Sequence, residues 1–210
     1  MTLSVWLSLL PASVLISFTP GAGAINTMTN SLNEGFRRSI WGIVGQQVAL
    51  VIHIAIVAAG VGLVVANSPM LFDAIRYAGA AYLVYLGARM FLARPADGAD
   101  DAAAPAGPAG EPALSMVRRG VWVNLLNPKA VVFFLAFTPQ FIRPGAPLLP
   151  QYAAFTATIV VVDILVMWLF FAAAAKGFRR FTRSPRGAVV LNRVFGTLFV
   201  LVAVLLVLAE

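Results

Sequence analysis

The sequence predicts an all-α integral membrane protein: six transmembrane helices in a 3+3 inverted repeat, with helices 1 and 4 interrupted. Three observations point there. Of 210 residues, 60% are hydrophobic and 11% charged, against about 25% charged in a soluble domain, so the chain lacks the polar groups to cover a soluble fold of its size. Its apolar residues fall into six runs, each near the roughly 20 residues a spanning helix needs. A low-complexity stretch divides those runs three and three, which gives two related halves opposite topologies. This composition excludes an ordinary cytosolic enzyme and a disordered chain, and the absence of cysteine excludes a disulfide scaffold. A transmembrane barrel would instead alternate in runs of about 10 residues.

The first run extends from Leu3 to about Asn30 and is interrupted at Thr19-Pro20-Gly21-Ala22-Gly23. No Lys or Arg precedes Arg37, so it lacks the basic region of a cleavable signal peptide and is expected to stay. The second run covers about Ile40–Ala66 and the third about Ala74–Ala93. The fourth, about Gly120–Ile142, contains Asn124, Asn127, Pro128 and Lys129. The fifth, about Tyr152–Ala175, contains Asp163, and the sixth covers about Val189–Ala209. Each must be helical, because a segment in lipid has to satisfy its own backbone hydrogen bonds. The expected organisation is a first three-helix repeat over 1–93, a flexible cytoplasmic linker over 94–119 whose core is Pro95–Ala113, and a second repeat over 120–210, together one transport domain.

The net charge is +7. In a soluble chain that would suggest nucleic acid; here it orients the protein, and no nucleic-acid partner is expected. Twelve of the fifteen Lys and Arg residues flank the 1–2, 3–4 and 5–6 connections, leaving Arg76 and Arg143 opposite and Lys129 within a helix. The positive-inside rule makes the twelve-charge side cytoplasmic and both termini periplasmic. The expected location is a bacterial inner membrane, multi-pass, with lipid as the surrounding partner. Oligomeric state is left open.

Depth singles out the residues that could carry chemistry. At 1.5 Å per residue, Pro20, Pro128 and Asp163 lie about 12–16 Å from a membrane edge, near the middle of a core about 30 Å thick. Pro20 and Pro128 each remove a backbone donor, and Gly21 and Gly23 loosen the chain further. Amides and carbonyls freed at that depth need protein or a water-filled cavity around them. They suit a cargo bearing both a carboxylate and an ammonium, as an amino acid does. A plain proline kink is the simpler explanation of either break alone; two at matching depth favour a site. Along the first helix Thr19, Gly23, Asn26, Asn30 and Asn33 share one face. Asn30 and Asn33 read as interfacial, whereas Asn26 lies deeper. In the second helix Gly45 and Ala49 form a small-xxx-small packing signal, and Gln46 and His53 could serve packing or line a pathway. Asn124 and Asn127 share a face of the fourth helix. Lys129 and Asp163 are costly in a membrane unless paired, hydrated or functional; a mutual ion pair, a substrate contact and proton carriage all stay open for Asp163. One histidine and no cysteine rule out a soft metal centre, no nucleophile–base pair suggests an enzyme, and no cofactor is expected.

These residues resemble the lysine-exporter superfamily of bacterial amino-acid exporters over essentially the full length. The likeness rests on Thr19-Pro20-Gly21 through Gly45, on Ala78–Leu83 with Leu86-Gly87, and on Asn124–Ala130. Within the superfamily, Pro20–Arg37, Val123–Phe133, Pro139–Ile142 and Val161–Met167 look most like the homoserine/homoserine-lactone efflux branch. Ala22 stands where most members have a second proline, a departure that fits this branch. The resemblance implies efflux of homoserine, its lactone or related neutral amino acids by proton antiport. The substrate and transport residues expected are Pro20, Gly21, Gly23, Asn26, Gln46, His53, Asn124, Asn127, Pro128, Lys129 and Asp163. Export of a different amino acid or a small cationic solute is the alternative.

Overall fold

A computed structural model describes residues 1–19, 21–67, 69–92, 110–143, 145–182 and 185–208. Pro20 and most of the linker, 93–109, lie outside them. The described residues form helices and no strand: α1 (Leu3–Phe18), α2 (Ala22–Glu34), α3 (Ile40–Asn67), α4 (Pro69–Leu92), α5 (Ala113–Leu125), α6 (Pro128–Phe137), a 3₁₀ turn (Thr138–Phe141), α7 (Leu148–Leu165), a π-helical stretch (Val166–Ala172), α8 (Ala173–Thr182) and α9 (Pro185–Leu208). Ile40–Gly60 and Leu148–Gly177 are each long and apolar enough to cross a membrane; counting each bent pair, α1 with α2 and α5 with α6, as one span raises the number to four. One boundary differs from expectation. Residues 113–119, counted with the linker, are the first two turns of α5, which starts directly after Pro112, a residue that suits a helix start because it has no N–H to leave unpaired.

The two breaks are built alike. At the first, α1 tightens in its last turn, where the Thr19 amide donates to the Leu15 and Ile16 carbonyls at 3.1 and 3.2 Å, and α2 leaves at 59° to it. At the second, Leu126 and Asn127 close α5 with bonds to Trp122 and Asn124, at 3.0 and 3.1 Å. Pro128 opens α6 at a bend of 61°. Asn127 caps α6: its side-chain oxygen accepts from the Lys129 amide at 3.1 Å. With that amide engaged, the Leu125 carbonyl has no helical donor. The Ile16 carbonyl loses its usual donor, since the residue four places on is a proline, and keeps only the 3.2 Å contact from the Thr19 amide.

Glycines set the closest helix contacts. A Cβ on Gly45 would lie 2.0 Å from the Val117 carbonyl oxygen, and one on Gly120 would lie 2.2 Å from that of Gly42. So α3 and α5 meet backbone to backbone, as small residues permit in membranes. Gly87 of α4 and Gly196 of α9 face each other in the same way, each hypothetical Cβ within 2.9 Å of the other's carbonyl oxygen. Packing between the halves is regular: α5 lies on α3, α2 on the π-helical stretch, α1 on α7 and α9, and α6 on α3 and α4. Phe133, Phe137 and Phe141 form a ladder along α6 with centroids 4.3 and 4.7 Å apart, extended to Phe155 at 6.1 Å. This ladder and Leu9, Ile159 and Phe199 form the apolar core on one side of the breaks.

Gly45→Ala should lower the melting temperature of the detergent-solubilised protein, by overpacking worth about 1–3 kcal/mol. Gly60→Ala, where nothing lies within 4 Å of the new Cβ, should be neutral or stabilising by up to about 1 kcal/mol. Equal melting of the two variants would remove the α3–α5 glycine contact as a constraint. Asn127→Ala should cost about 1 kcal/mol through the lost α6 cap, and Asn127→Ser should recover most of it; the same melting assay reads both.

Candidate functional site

Both breaks open on one cavity of about 50 Å³. It is lined from the α1–α2 junction by Ser17, Gly21 and Gly23, from α3 by Gln46 and Leu50, from the α5–α6 junction by Asn124, Asn127, Lys129, Phe133 and Phe134, and from α7 and its π-helical continuation by Asp163 and Met167. Residues from both halves therefore meet there. On this measure one water takes roughly 10–15 Å³, so the volume holds a few waters.

The freed carbonyls are answered by side chains from the opposite half. The Lys129 ammonium, at the start of α6, donates to the Ile16 carbonyl at 3.2 Å and to the Thr19 carbonyl, both at the end of α1. It also lies 5.7 Å from the centre of the Phe199 ring. In return His53 of α3 reaches the Leu125 carbonyl at 3.3 Å and stacks on Phe134. Gln46 Nε2 donates to the Gly23 carbonyl and to Thr27 Oγ1, both at 3.1 Å, and Asn124 Nδ2 donates to the Gln46 carbonyl at 3.0 Å. Gly21 and Gly23 make room for this. A Cβ at Gly23 would lie 3.0 Å from Gln46 Oε1, and one at Gly21 3.4 Å from the Lys129 side chain.

Asp163 is 9% exposed, and its Oδ2 accepts from Gln47 Nε2 at 2.7 Å. Among the described residues it makes no direct ion pair with Lys129. The two charges face one cavity, each held by neutral partners. Two residues of this arrangement were missed from the sequence. Gln47, beside Gln46, points about 100° away from it around α3, and that pair was itself a sign that two faces of α3 meet polar groups. Ser17 lies just before the break, in an apolar run where no spacing or depth argument singles it out. The π-helical stretch one turn beyond Asp163 was missed as well; such stretches concentrate at functional sites. It receives α2: Ser31 Oγ donates to the Ala172 carbonyl at 2.6 Å, and Trp168 Nε1 donates to the Phe36 carbonyl at 3.2 Å.

Of the residues singled out from the sequence, Gly21, Gly23, Gln46, Asn124, Asn127, Lys129 and Asp163 line the cavity. His53 serves as a cap behind it, Pro128 opens α6 with an exposed ring, and Pro20 lies outside the described residues. Asn26 is buried at 1% exposure beside Asn30 and Gly42, off the cavity. Asn30, read as interfacial, is also buried at 1% and accepts from Arg119 Nη2 at 2.6 Å; Asn33 is exposed. The described residues contain no group of three or more His, Cys, Asp or Glu able to hold a metal.

A family model described as LysE type translocator matches residues 14–210. The chain is 41% identical over 210 residues to a homoserine/homoserine lactone efflux protein of Salmonella typhimurium, covering 100% of this chain and 99% of that one. It is 37% identical, over 100% of both chains, to an uncharacterised membrane protein of Vibrio cholerae. It is 28% identical to a leucine efflux protein of Klebsiella pneumoniae, over 93% of this chain and 91% of the relative. No solved structure matches. With its membrane-length apolar helices and a family match over nearly its whole length, the chain belongs to the LysE type translocators, membrane proteins whose business is transport rather than catalysis.

Proposed function

We propose that the protein exports a small neutral amino acid, homoserine or its lactone foremost, across a bacterial inner membrane in exchange for protons. One observation carries this reading: a single cavity is lined from both halves by one ammonium (Lys129), which holds the Ile16 and Thr19 carbonyls, and one carboxylate (Asp163). Homoserine as a zwitterion matches that set: its carboxylate draws the Lys129 ammonium off the carbonyls, and its own ammonium takes the place of Lys129. The lactone has no carboxylate and would use only the carbonyls and Asp163. Asn124, Asn127 and Gln46 then orient the cargo, while Asp163, held by Gln47, carries the proton. A cargo with a second positive charge would face Lys129 unfavourably, which argues against a cationic solute.

The six-helix arrangement with inverted halves belongs to the same reading. Bends of 59° and 61° at corresponding places support it. So does the packing, in which α5 on α3 corresponds to the bent α1–α2 pair on α7 and its π-helical continuation, and α4 meets α9 through paired glycines. Alternating access is then a rocking of one half against the other about this site. Charge distribution favours a cytoplasmic position for the α2–α3, α4–α5 and α8–α9 connections and a periplasmic one for both termini. A second cargo, leucine, gains support from Leu50, Phe133, Phe134 and Met167, which give the cavity an apolar wall, and from the leucine-efflux relative.

Inverted vesicles holding the wild-type protein should take up labelled homoserine when a pH gradient is imposed, and Asp163→Asn should abolish the response to the gradient. Unchanged gradient dependence in that variant removes Asp163 from proton coupling. Excess unlabelled leucine should compete weakly; stronger competition than by homoserine itself would reassign the cargo.

A further inference from the structure

Different groups flank the cavity on its two sides. Towards the chain termini lies the phenylalanine ladder. Towards the basic side lies a polar cluster that the transport reading does not use. Glu111, just before α5, is 4% exposed. Its Oε2 meets Arg119 Nη2 at 2.6 Å and its Oε1 accepts from Ser115 Oγ at 2.6 Å. The same Arg119 nitrogen donates to Asn30 Oδ1 at 2.6 Å, crossing from α5 to α2. A second strap lies beside it. Glu34 Oε1 accepts from the Gly110 amide at 2.8 Å and the Glu111 amide at 3.3 Å, and Arg38 Nη2 donates to the Glu111 carbonyl at 2.6 Å. The two inner half-helices are thus tied together by charged hydrogen bonds. Asn30 is seven residues from Gly23 and Arg119 five from Asn124, so the clasp sits about 8–10 Å from the cavity along each helix.

Between clasp and cavity stand polar groups without partners. Asn26 Nδ2, Asn26 Oδ1 and Asn30 Nδ2 make no hydrogen bond, and both residues are 1% exposed. Buried amides left unsatisfied are unfavourable. Asn26 adjoins Thr27, whose hydroxyl accepts from Gln46 on the cavity wall.

We propose that Glu111, Arg119, Asn30 and Asn26 form the entry site for a zwitterionic amino acid, and that the Glu111–Arg119 contact is the gate across it. The arriving carboxylate takes Arg119 and the Asn26 and Asn30 amide N–H groups. The arriving ammonium takes Glu111 and Asn26 Oδ1. The cargo thereby replaces with its own two charges the pair that holds α2 to α5, and the half-helices part. The identity of the cargo here rests on the transport reading above; the gate does not.

The chain has no cysteine, so Ala130→Cys, on the cavity wall, supplies a single thiol. In liposomes, a membrane-impermeant maleimide added on the basic side should label it slowly. Glu111→Gln and Arg119→Gln should each raise that rate about tenfold, the scale of one lost charged hydrogen bond. The double swap Glu111→Arg with Arg119→Glu should slow labelling again, which a merely unfolded variant cannot do, and labelling from the opposite side should stay unchanged. In homoserine exchange, Arg119→Gln should raise KM about tenfold for substrate varied on the basic side and leave it unchanged on the other. Unaltered labelling in both single variants overturns the gate, and an equal KM change on both faces overturns the entry site. Absence of wild-type homoserine exchange would instead refute the cargo, with the labelling still deciding the gate.

Discussion

A carbonyl released from its helix inside a membrane has no water to turn to, and the architecture follows from how that need is met. Two breaks, the second opening at Pro128, which has no N–H, interrupt apolar helix pairs. The freed oxygens then require donors from elsewhere in the protein. Here the donors come from the opposite half: Lys129 for Ile16 and Thr19, His53 for Leu125. Neither break is satisfied without the other half in place. The cavity is therefore a consequence of the breaks, and any rocking of the halves must exchange these bonds for others, with cargo or with water.

Small residues make the exchange feasible. Gly42, Gly45 and Gly120 bring α3 and α5 to backbone contact, and Gly87 and Gly196 do the same for α4 and α9. Without a hydrophobic drive between helices in lipid, such close packing supplies much of the association. Smooth glycine contacts also present fewer interlocked side chains to disengage. The clasp at Glu111 and Arg119 and the phenylalanine ladder on the far side are then the two places where closure depends on side chains. One is polar and the other apolar, so they respond to different chemistry.

Much of this was legible in the sequence because proline and glycine punctuate a helix through covalent properties. The break at Asn127-Pro128 and the long apolar helix from Ile40 follow from spacing, and depth and residue type single out Gly21, Gly23, Asn124, Asn127, Lys129 and Asp163, which line one cavity. What was not legible depends on the other half of the molecule. The donor role of Lys129 could not be read, since its acceptors are backbone oxygens more than a hundred residues away. Glu111 lay in an Ala-Gly-Pro stretch whose composition hid a structural acid, and the first two turns of α5 were counted with that stretch. Gln47 was masked by its neighbour. The π-helical stretch has no local signature; it accommodates α2, a tertiary demand.

The proposal that a zwitterion takes over the carbonyl contacts of Lys129 can be tested by solid-state NMR. Protein carrying ¹³C-carbonyl threonine would be combined with ¹⁵N-homoserine in liposomes, and dipolar dephasing between the two labels recorded. Proximity of the cargo nitrogen to the freed carbonyl predicts dephasing that vanishes when Thr19→Ser removes that label. No dephasing at saturating homoserine, or dephasing that survives Thr19→Ser, would place the ammonium elsewhere and contradict binding at the broken helices.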